Sequence, residues 1–278
     1  MQPEKEEEAT VYVRGFMTDR ERVEDFALWT RSHSMLVQSP KHRWGPLALG
    51  YNWRSGQPRL NYVVPWAPIY WITTRLPAGI VIPSPSLLAT FFLADLSMHL
   101  VKLTYQYHKA NFRSSEYASE LSNVLRTLRQ KHPKLRVISH SLGCHHVLKA
   151  LQLMDLSERP DVVHLLAPAV KESEFDGILH RGIAREKTFL YYTRRDITLY
   201  ILFRYVLAGW TKLGYGEPAM GEVGVKHKSS NHYSNLVEID TAPFFGRNVH
   251  TGYAAKFGNM AQVDFDAVER GKLDFPSF

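Results

Sequence analysis

Short apolar runs alternate with amphipathic stretches along the chain, and that alternation sets the expected elements. Val11-Tyr12-Val13 is a β-rich run ending in Arg14-Gly15-Phe16, and Leu47–Trp53 is a second strand candidate closed by the turn residues Arg54-Ser55-Gly56. Ser114–Lys131 carries Tyr117, Leu121, Val124, Leu125 and Leu128 at helical spacing, with Ser114 or Ser115 as the expected N-cap and Pro133 as the stop. Leu135–Ser139 reads as a strand, and His145–Met154 as a helix with Val147, Leu148, Leu151 and Met154 on one face. Val162–Leu166 and Thr188–Tyr192 read as strands, Ile197–Leu207 as a helix, Leu236–Ile239 as a last strand and Asp264–Gly271 as a closing helix. Strand and helix alternate from residue 114 onward, which predicts an α/β fold with a mostly parallel central sheet and helices on both faces.

Two stretches depart from this pattern. Residues 1–9 are acidic and are expected to form a disordered leader. Residues 57–112 carry Pro58, Pro65, Pro68, Pro77, Pro83 and Pro85 within apolar, aromatic sequence. Repeated prolines argue against a central strand or a long helix there, although Leu87–Leu103 could be helical. The expectation is an apolar insertion that caps the strand ends, helped by Ile197–Trp210. The 278 residues suit a single α/β domain, 1–278, with such a cap inserted.

Composition narrows the class. Apolar residues at 45% and charged residues at 22% are ordinary for a globular protein. The net charge is +7, and the first eight residues hold four Glu and one Lys, so the remainder is more basic still. A basic body suits anionic lipid or anionic substrates. No basic run interleaved with aromatics marks a nucleic-acid groove, so no nucleic-acid partner is expected. The single cysteine, Cys144, excludes an internal disulfide. The acidic N-terminus does not read as a secretory signal. No apolar stretch reaches the roughly 18 to 20 residues that span a bilayer: Ser86–Leu103 is broken by Asp95, His99 and Lys102, and Ile197–Trp210 is short and contains Arg204. A cytoplasmic protein is expected, with peripheral membrane contact left open by its basic surface.

The candidate chemistry centres on Arg136-Val-Ile-Ser-His-Ser141-Leu-Gly-Cys, where a strand runs into Ser-His-Ser-Leu-Gly and a helix follows directly. This is the layout of a nucleophile elbow, G-x-S-x-G, with Ser139 in place of the first Gly. The elbow is Ser139, His140, Ser141 and Gly143: positions two before and two after the nucleophile must be small, because strand and helix approach closely there. The turn lifts the Ser141 hydroxyl above the sheet and aims the Leu142 N–H at a developing oxyanion. The competing reading is a serine that only caps a helix.

A nucleophilic serine needs a base, and the base needs an orienting acid. Asp196 follows the strand run Thr-Phe-Leu-Tyr-Tyr, where the acid belongs, and it also reads as a cap for Ile197–Leu207. Asp240, after Leu-Val-Glu-Ile, is the runner-up. Among thirteen histidines, His250 in Asn-Val-His-Thr-Gly-Tyr lies after the last strand and C-terminal to both acids. His227 and His232 are less well placed, and His140 is set aside because neighbours on an elbow point apart. The second oxyanion donor belongs after an early strand, which points to the N–H of Phe16 or Met17 beside Gly15. Cys144-His145-His146 diverge around a helix and no second cluster has metal spacing, so no metal is expected. No phosphate-binding glycine motif is present, so no cofactor is expected. Cys144 reads as a small buried residue.

Taken in order, VYVRGF, LGYNWRSG, VISHSLGCHHVLKAL, YYTRRDITLYILFR and VHTGY resemble segments of the α/β-hydrolase superfamily, in particular lipase-like serine hydrolase families of unknown function, including the transmembrane and coiled-coil-domain hydrolases. The resemblance implies an α/β-hydrolase fold, nucleophile Ser141, acid Asp196 and base His250. Arg14 stands where such families often have His before the Gly. The function expected is hydrolysis of a carboxylic ester or lipid acyl group through an acyl-enzyme, the apolar content of 60–103 and 197–210 favouring an apolar acyl group. The alternative is a hydrolase-fold scaffold that binds without catalysis.

Overall fold

The computed structural model describes residues 8–16, 18, 26–40, 44–56, 102, 104–204, 216–225, 233, 235–245 and 249–262. Among the described residues six strands make one all-parallel sheet: β1 (Glu8–Val13), β2 (Leu47–Tyr51), β3 (Lys134–His140), β4 (Val162–Leu166), β5 (Lys187–Tyr192) and β6 (Leu236–Asp240). Their order across the sheet is β2-β1-β3-β4-β5-β6. The helices are α1 (Ala27–Gln38), α2 (104–116), α3 (Ala118–Lys131), α4 (Leu142–Gln152), α5 (Glu172–Arg181), α6 (Met220–Val223) and α7 (Tyr253–Gln262). A π-helical turn spans Leu199–Phe203.

Parallel strands must be covered on both faces, and the strand sequences are apolar on both. Because successive side chains alternate, Val11, Val13, Val137, Val163 and Leu165 share one core with Leu121 and Leu125 of α3, Leu148 and Leu151 of α4, and Phe175 of α5. Tyr12, Ile138, Tyr191 and Ile239 face the other way, into a core completed by Trp29 and Leu36 of α1 and Tyr253, Phe257 and Met260 of α7. The register Val11↔Val137↔Val163 keeps like faces together across the sheet.

The strand order contains one reversal. From β1 the chain moves outward to β2, then returns to lay β3 on the other side of β1. Adjacent loops leave β1 and β3 in opposite directions there, which opens a crevice at the carboxyl ends of the strands. Arg14-Gly15-Phe16 and Ser141 flank that crevice.

Several expected boundaries move. β1 begins at Glu8, so the last two residues assigned to the acidic leader are buried strand residues. The cause is electrostatic: Glu8 Oε1 accepts from Arg136 Nε at 2.9 Å, and the Arg136 guanidinium lies 3.9 Å from the Trp44 ring centroid. A buried carboxylate is tolerated when paired and hydrogen-bonded in this way. The helix expected to start at Ser114 is two helices that meet at Tyr117. Ser114 lies inside α2 rather than at an N-cap, and its Oγ donates to the Asn111 carbonyl at 2.6 Å. The segment Ile197–Leu207 is helical over its described part, but its middle is the π turn. Helices α1, α5, α6 and α7, and the part of α2 before Ser114, were not expected. Residues 57–101 of the Pro-rich stretch, 205–210 and the closing helix Asp264–Gly271 lie outside the described residues.

Candidate active site

The elbow is set by the backbone. Ser141 has φ 55° and ψ −125°, a left-handed conformation that a non-glycine residue adopts only under constraint. The constraint is a set of main-chain bonds: Ser141 N–H donates to Leu166 O at 2.9 Å, and Ala169 N–H donates to Ser141 O at 3.2 Å. Ser139, the residue in the usual glycine position, is fully buried, with Oγ 3.3 Å from both the His164 carbonyl and Cys144 Sγ. Its small side chain fits, and its hydroxyl is satisfied.

Two glycines let the end of β1 press against this turn. A Cβ on Gly143 would stand 2.4 Å from Arg14 O and 2.7 Å from Val13 O. One on Gly15 would stand 2.9 Å from Ser141 Cβ. The atoms facing Gly143 are main chain and cannot swing aside. Gly143→Ala is therefore expected to destabilise the protein by about 1 to 3 kcal/mol, the usual cost of forced overpacking. Urea denaturation checks this, and an unchanged midpoint would contradict the close approach.

The side chains from three separate loops converge on Ser141. His250 Nε2 lies 2.9 Å from Ser141 Oγ, and His250 Nδ1 lies 2.7 Å from Asp196 Oδ2. Asp196 follows β5 and is fully buried. Its second oxygen, Oδ1, accepts from Leu199 N–H at 3.0 Å and starts the π turn, so the capping and site positions coincide in one residue. Asp240, the runner-up acid, is exposed, and its Oδ1 accepts from Ala242 N–H at 2.9 Å. It closes a local turn instead of reaching His250. His227, His232 and Met17 lie outside the described residues. Leu142 opens α4 directly after Ser141, and Phe16 follows Gly15 on the facing loop.

Residues 85–263 match the family described as alpha/beta hydrolase of unknown function (DUF900). The chain belongs to this family. No curated protein and no solved structure matches it. The family match includes the segments that carry Ser141, Asp196 and His250 and begins downstream of β1 and β2.

In this alpha/beta hydrolase a cavity of about 270 Å³ opens beside Ser141 and His250. Phe16, Trp29, Tyr107, Leu199 and Phe203 supply apolar wall, and Arg14, Thr18, Thr198 and Thr251 supply polar positions. Tyr107 comes from α2, so the described end of the 57–112 stretch does reach the cavity; its ring packs edge-on against Phe16 at 5.5 Å. Among the described residues no group of three or more His, Cys, Asp or Glu could hold a metal, and no helix is long and apolar enough to cross a membrane.

His140 is an elbow residue with a contact that the sequence did not suggest. It does not take the place of the base, but its ring lies 5.0 Å from the His250 ring and its Nε2 is 2.8 Å from the His250 carbonyl. A carbonyl only accepts, so His140 donates Nε2–H. Burial, followed by the neighbouring His250, pushes its pKa down to about 3, so it is neutral near pH 7. The pattern His-Ser within an elbow gave no hint of that bond, which depends on where the distant His250 loop lands.

The remaining histidines near the elbow are structural. His146 stacks on Trp53 at 4.7 Å, and its Nδ1 lies 2.7 Å from the Ser114 carbonyl. His145 Nδ1 is 2.6 Å from Ser114 Oγ, and its Nε2 is 2.9 Å from Glu174 Oε1. That Ser-His-carboxylate chain has the right atoms for hydrolysis and the wrong setting: Ser114 is fully buried within α2, where no substrate carbonyl can approach. Cys144 is fully buried, and burial pushes its thiol up to about 12, which leaves it unreactive.

Proposed function

We propose that this alpha/beta hydrolase is a serine hydrolase of carboxylic esters with an apolar acyl group. The observation that carries the reading is the unbroken hydrogen-bond chain Asp196–His250–Ser141 at the edge of a largely apolar cavity. Ser141 Oγ attacks the ester carbonyl carbon while His250 Nε2 takes the hydroxyl proton. Asp196 accepts from His250 Nδ1–H, fixing the tautomer and stabilising the imidazolium that forms. The N–H groups of Phe16 and Leu142 donate to the oxyanion of the tetrahedral intermediate, Leu142 with the field of the α4 N-terminus behind it. His250 then protonates the leaving alkoxide, and an acyl-Ser141 remains. Water attacks that acyl group with His250 again as base, releasing the acid and restoring Ser141.

The walls of the cavity set the acyl preference. Trp29, Tyr107, Leu199 and Phe203 offer rings and aliphatic surface, and an apolar chain laid on them gains about 25 cal/mol per Å² of area removed from water. A p-nitrophenyl ester series from acetate to decanoate tests the reading. Hydrolysis by the wild type, abolished in Ser141→Ala, is the expected result. No turnover across the series, together with no reaction with a fluorophosphonate, would instead favour a binding scaffold. Phe203→Ala enlarges the wall and is expected to move the chain-length optimum by about two carbons or more, at ~0.8 kcal/mol per buried methylene. An unchanged profile with lowered stability would make Phe203 a packing residue only.

A further inference from the structure

Ser141 and His250 come from loops 109 positions apart, and their 2.9 Å contact needs something other than itself to hold it. Ser141 is covalently joined to His140. The His140 ring reaches over and donates Nε2–H to the His250 carbonyl at 2.8 Å. These links close a small ring of contacts: Ser141 Oγ to His250 Nε2, through His250 to its carbonyl, across to His140, and back along one peptide bond. The His140 ring is held in turn by Trp29 of α1, 6.3 Å between centroids, and by Tyr253 at the start of α7, 5.8 Å. Tyr253 is itself fixed by its hydroxyl, 2.9 Å from Thr241 Oγ1.

We infer that His140 is a positioning residue: its hydrogen bond to the His250 main chain sets the distance and angle between base and nucleophile. The inference rests on the reading of Ser141 and His250 as nucleophile and base. Its protonation state suits the role. The charged or titratable neighbours acting on it are His250 and Arg14, and burial joins both in favouring the neutral ring. A cation at this position would oppose the imidazolium that His250 becomes during acyl transfer, whereas a neutral donor holds the loop without that repulsion. A misplacement of about 1 Å at such a contact costs on the order of 100-fold in rate, so a bond that fixes it has a measurable consequence.

The test compares two substitutions of similar size. Gln at 140 carries an amide N–H with reach close to that of Nε2, and Met carries no donor. With a short p-nitrophenyl ester, His140→Met is expected to lose about 10- to 100-fold in kcat with KM within roughly 2-fold, because a short acyl group still meets the unchanged Trp29, Tyr107, Leu199 and Phe203 walls, although His140 itself lines the cavity. His140→Gln is expected to stay within about 5-fold of the wild type. The rate of Ser141 phosphonylation by a fluorophosphonate should fall in parallel, since it also needs the base in place. If His140→Met does not fold, His140→Asn takes its place, because its shorter amide cannot reach the carbonyl. Equal kcat in the Gln variant and the donor-less or short variant, high or low, would overturn the positioning role. A wild type that neither hydrolyses esters nor reacts with the probe removes the nucleophile-base reading itself, and with it this inference; a reactive wild type with unaffected variants removes only the inference.

Discussion

Ser141→Ala is expected to lower kcat for ester hydrolysis by roughly 10⁴- to 10⁶-fold, and His250→Ala by a similar factor. Both act on one proton-transfer chain, so the double variant should lose little more than either single one. Asp196→Asn should cost roughly 10⁴-fold, because an amide at that position presents the wrong partner to His250 Nδ1–H. Asp196 also starts the π turn through Leu199 N–H, so Asn, which keeps an oxygen there, is a better probe than Ala. Asp240→Asn touches only a local turn and should leave kcat within about 2-fold of the wild type, since exposed substitutions away from the site have small effects. Steady-state kinetics on these five proteins discriminate a unit from a set of independent residues. Additive losses in the double variant, or a larger loss in Asp240→Asn than in Asp196→Asn, would contradict the arrangement.

Acid is expected to destabilise the protein steeply from pH 6 downward. Burial holds His140 at about 3 and His146 at about 4, and holds His164 well below the ordinary histidine value. In the unfolded chain each returns to about 6.5. Between these limits the unfolded state binds more protons, so stability is present above pH 6.5 and is lost as pH falls toward the folded values. Each such group contributes a slope of about 1.4 kcal/mol per pH unit, so three together give about 4 kcal/mol per unit between pH 6 and pH 4. Over those two units the loss is about 8 kcal/mol, comparable with a typical total of about 5 to 15 kcal/mol. Glu174 adds to the loss only at lower pH. Burial raises its carboxyl, but hydrogen bonds and charge from His145 and Lys149 outweigh this and leave it at about 2. Urea denaturation at pH 7, 6 and 5 measures the slope; a midpoint constant over that range would contradict the three buried neutral rings.

What could be read from the sequence follows physical rules that act locally. A strand, a serine between small residues and a helix in immediate succession leave few conformations for Ser139–Gly143, so the elbow was legible. Chain order then led to Asp196 and His250, and the structure brings both to Ser141. Other elements were hidden because polar residues or a glycine interrupt their buried faces. Helix α1 buries Trp29, Ser32, His33 and Leu36: the spacing is helical, but Ser32 and His33 interrupt it. Ser32 Oγ instead donates to the Ala254 carbonyl at 2.7 Å, and His33 bonds Tyr12 and Gly45. Helix α7 includes Gly258, which reads as a breaker and in fact allows α1 and α7 to approach, with Ser32 O 3.0 Å from where its Cβ would be. The start of β1 was missed because Glu8 looks like surface until Arg136, 128 residues away, is seen to neutralise it. The role of His140 required the same kind of knowledge, a partner supplied by a distant loop.

The central claim is that Ser141 is a nucleophile activated by His250. Reaction of the purified protein with a fluorophosphonate, followed by peptide mass spectrometry, tests it directly. One adduct on Ser141, absent from Ser141→Ala and formed far more slowly by His250→Ala, is the predicted result. No adduct, or an adduct on another residue that persists in Ser141→Ala, would contradict it.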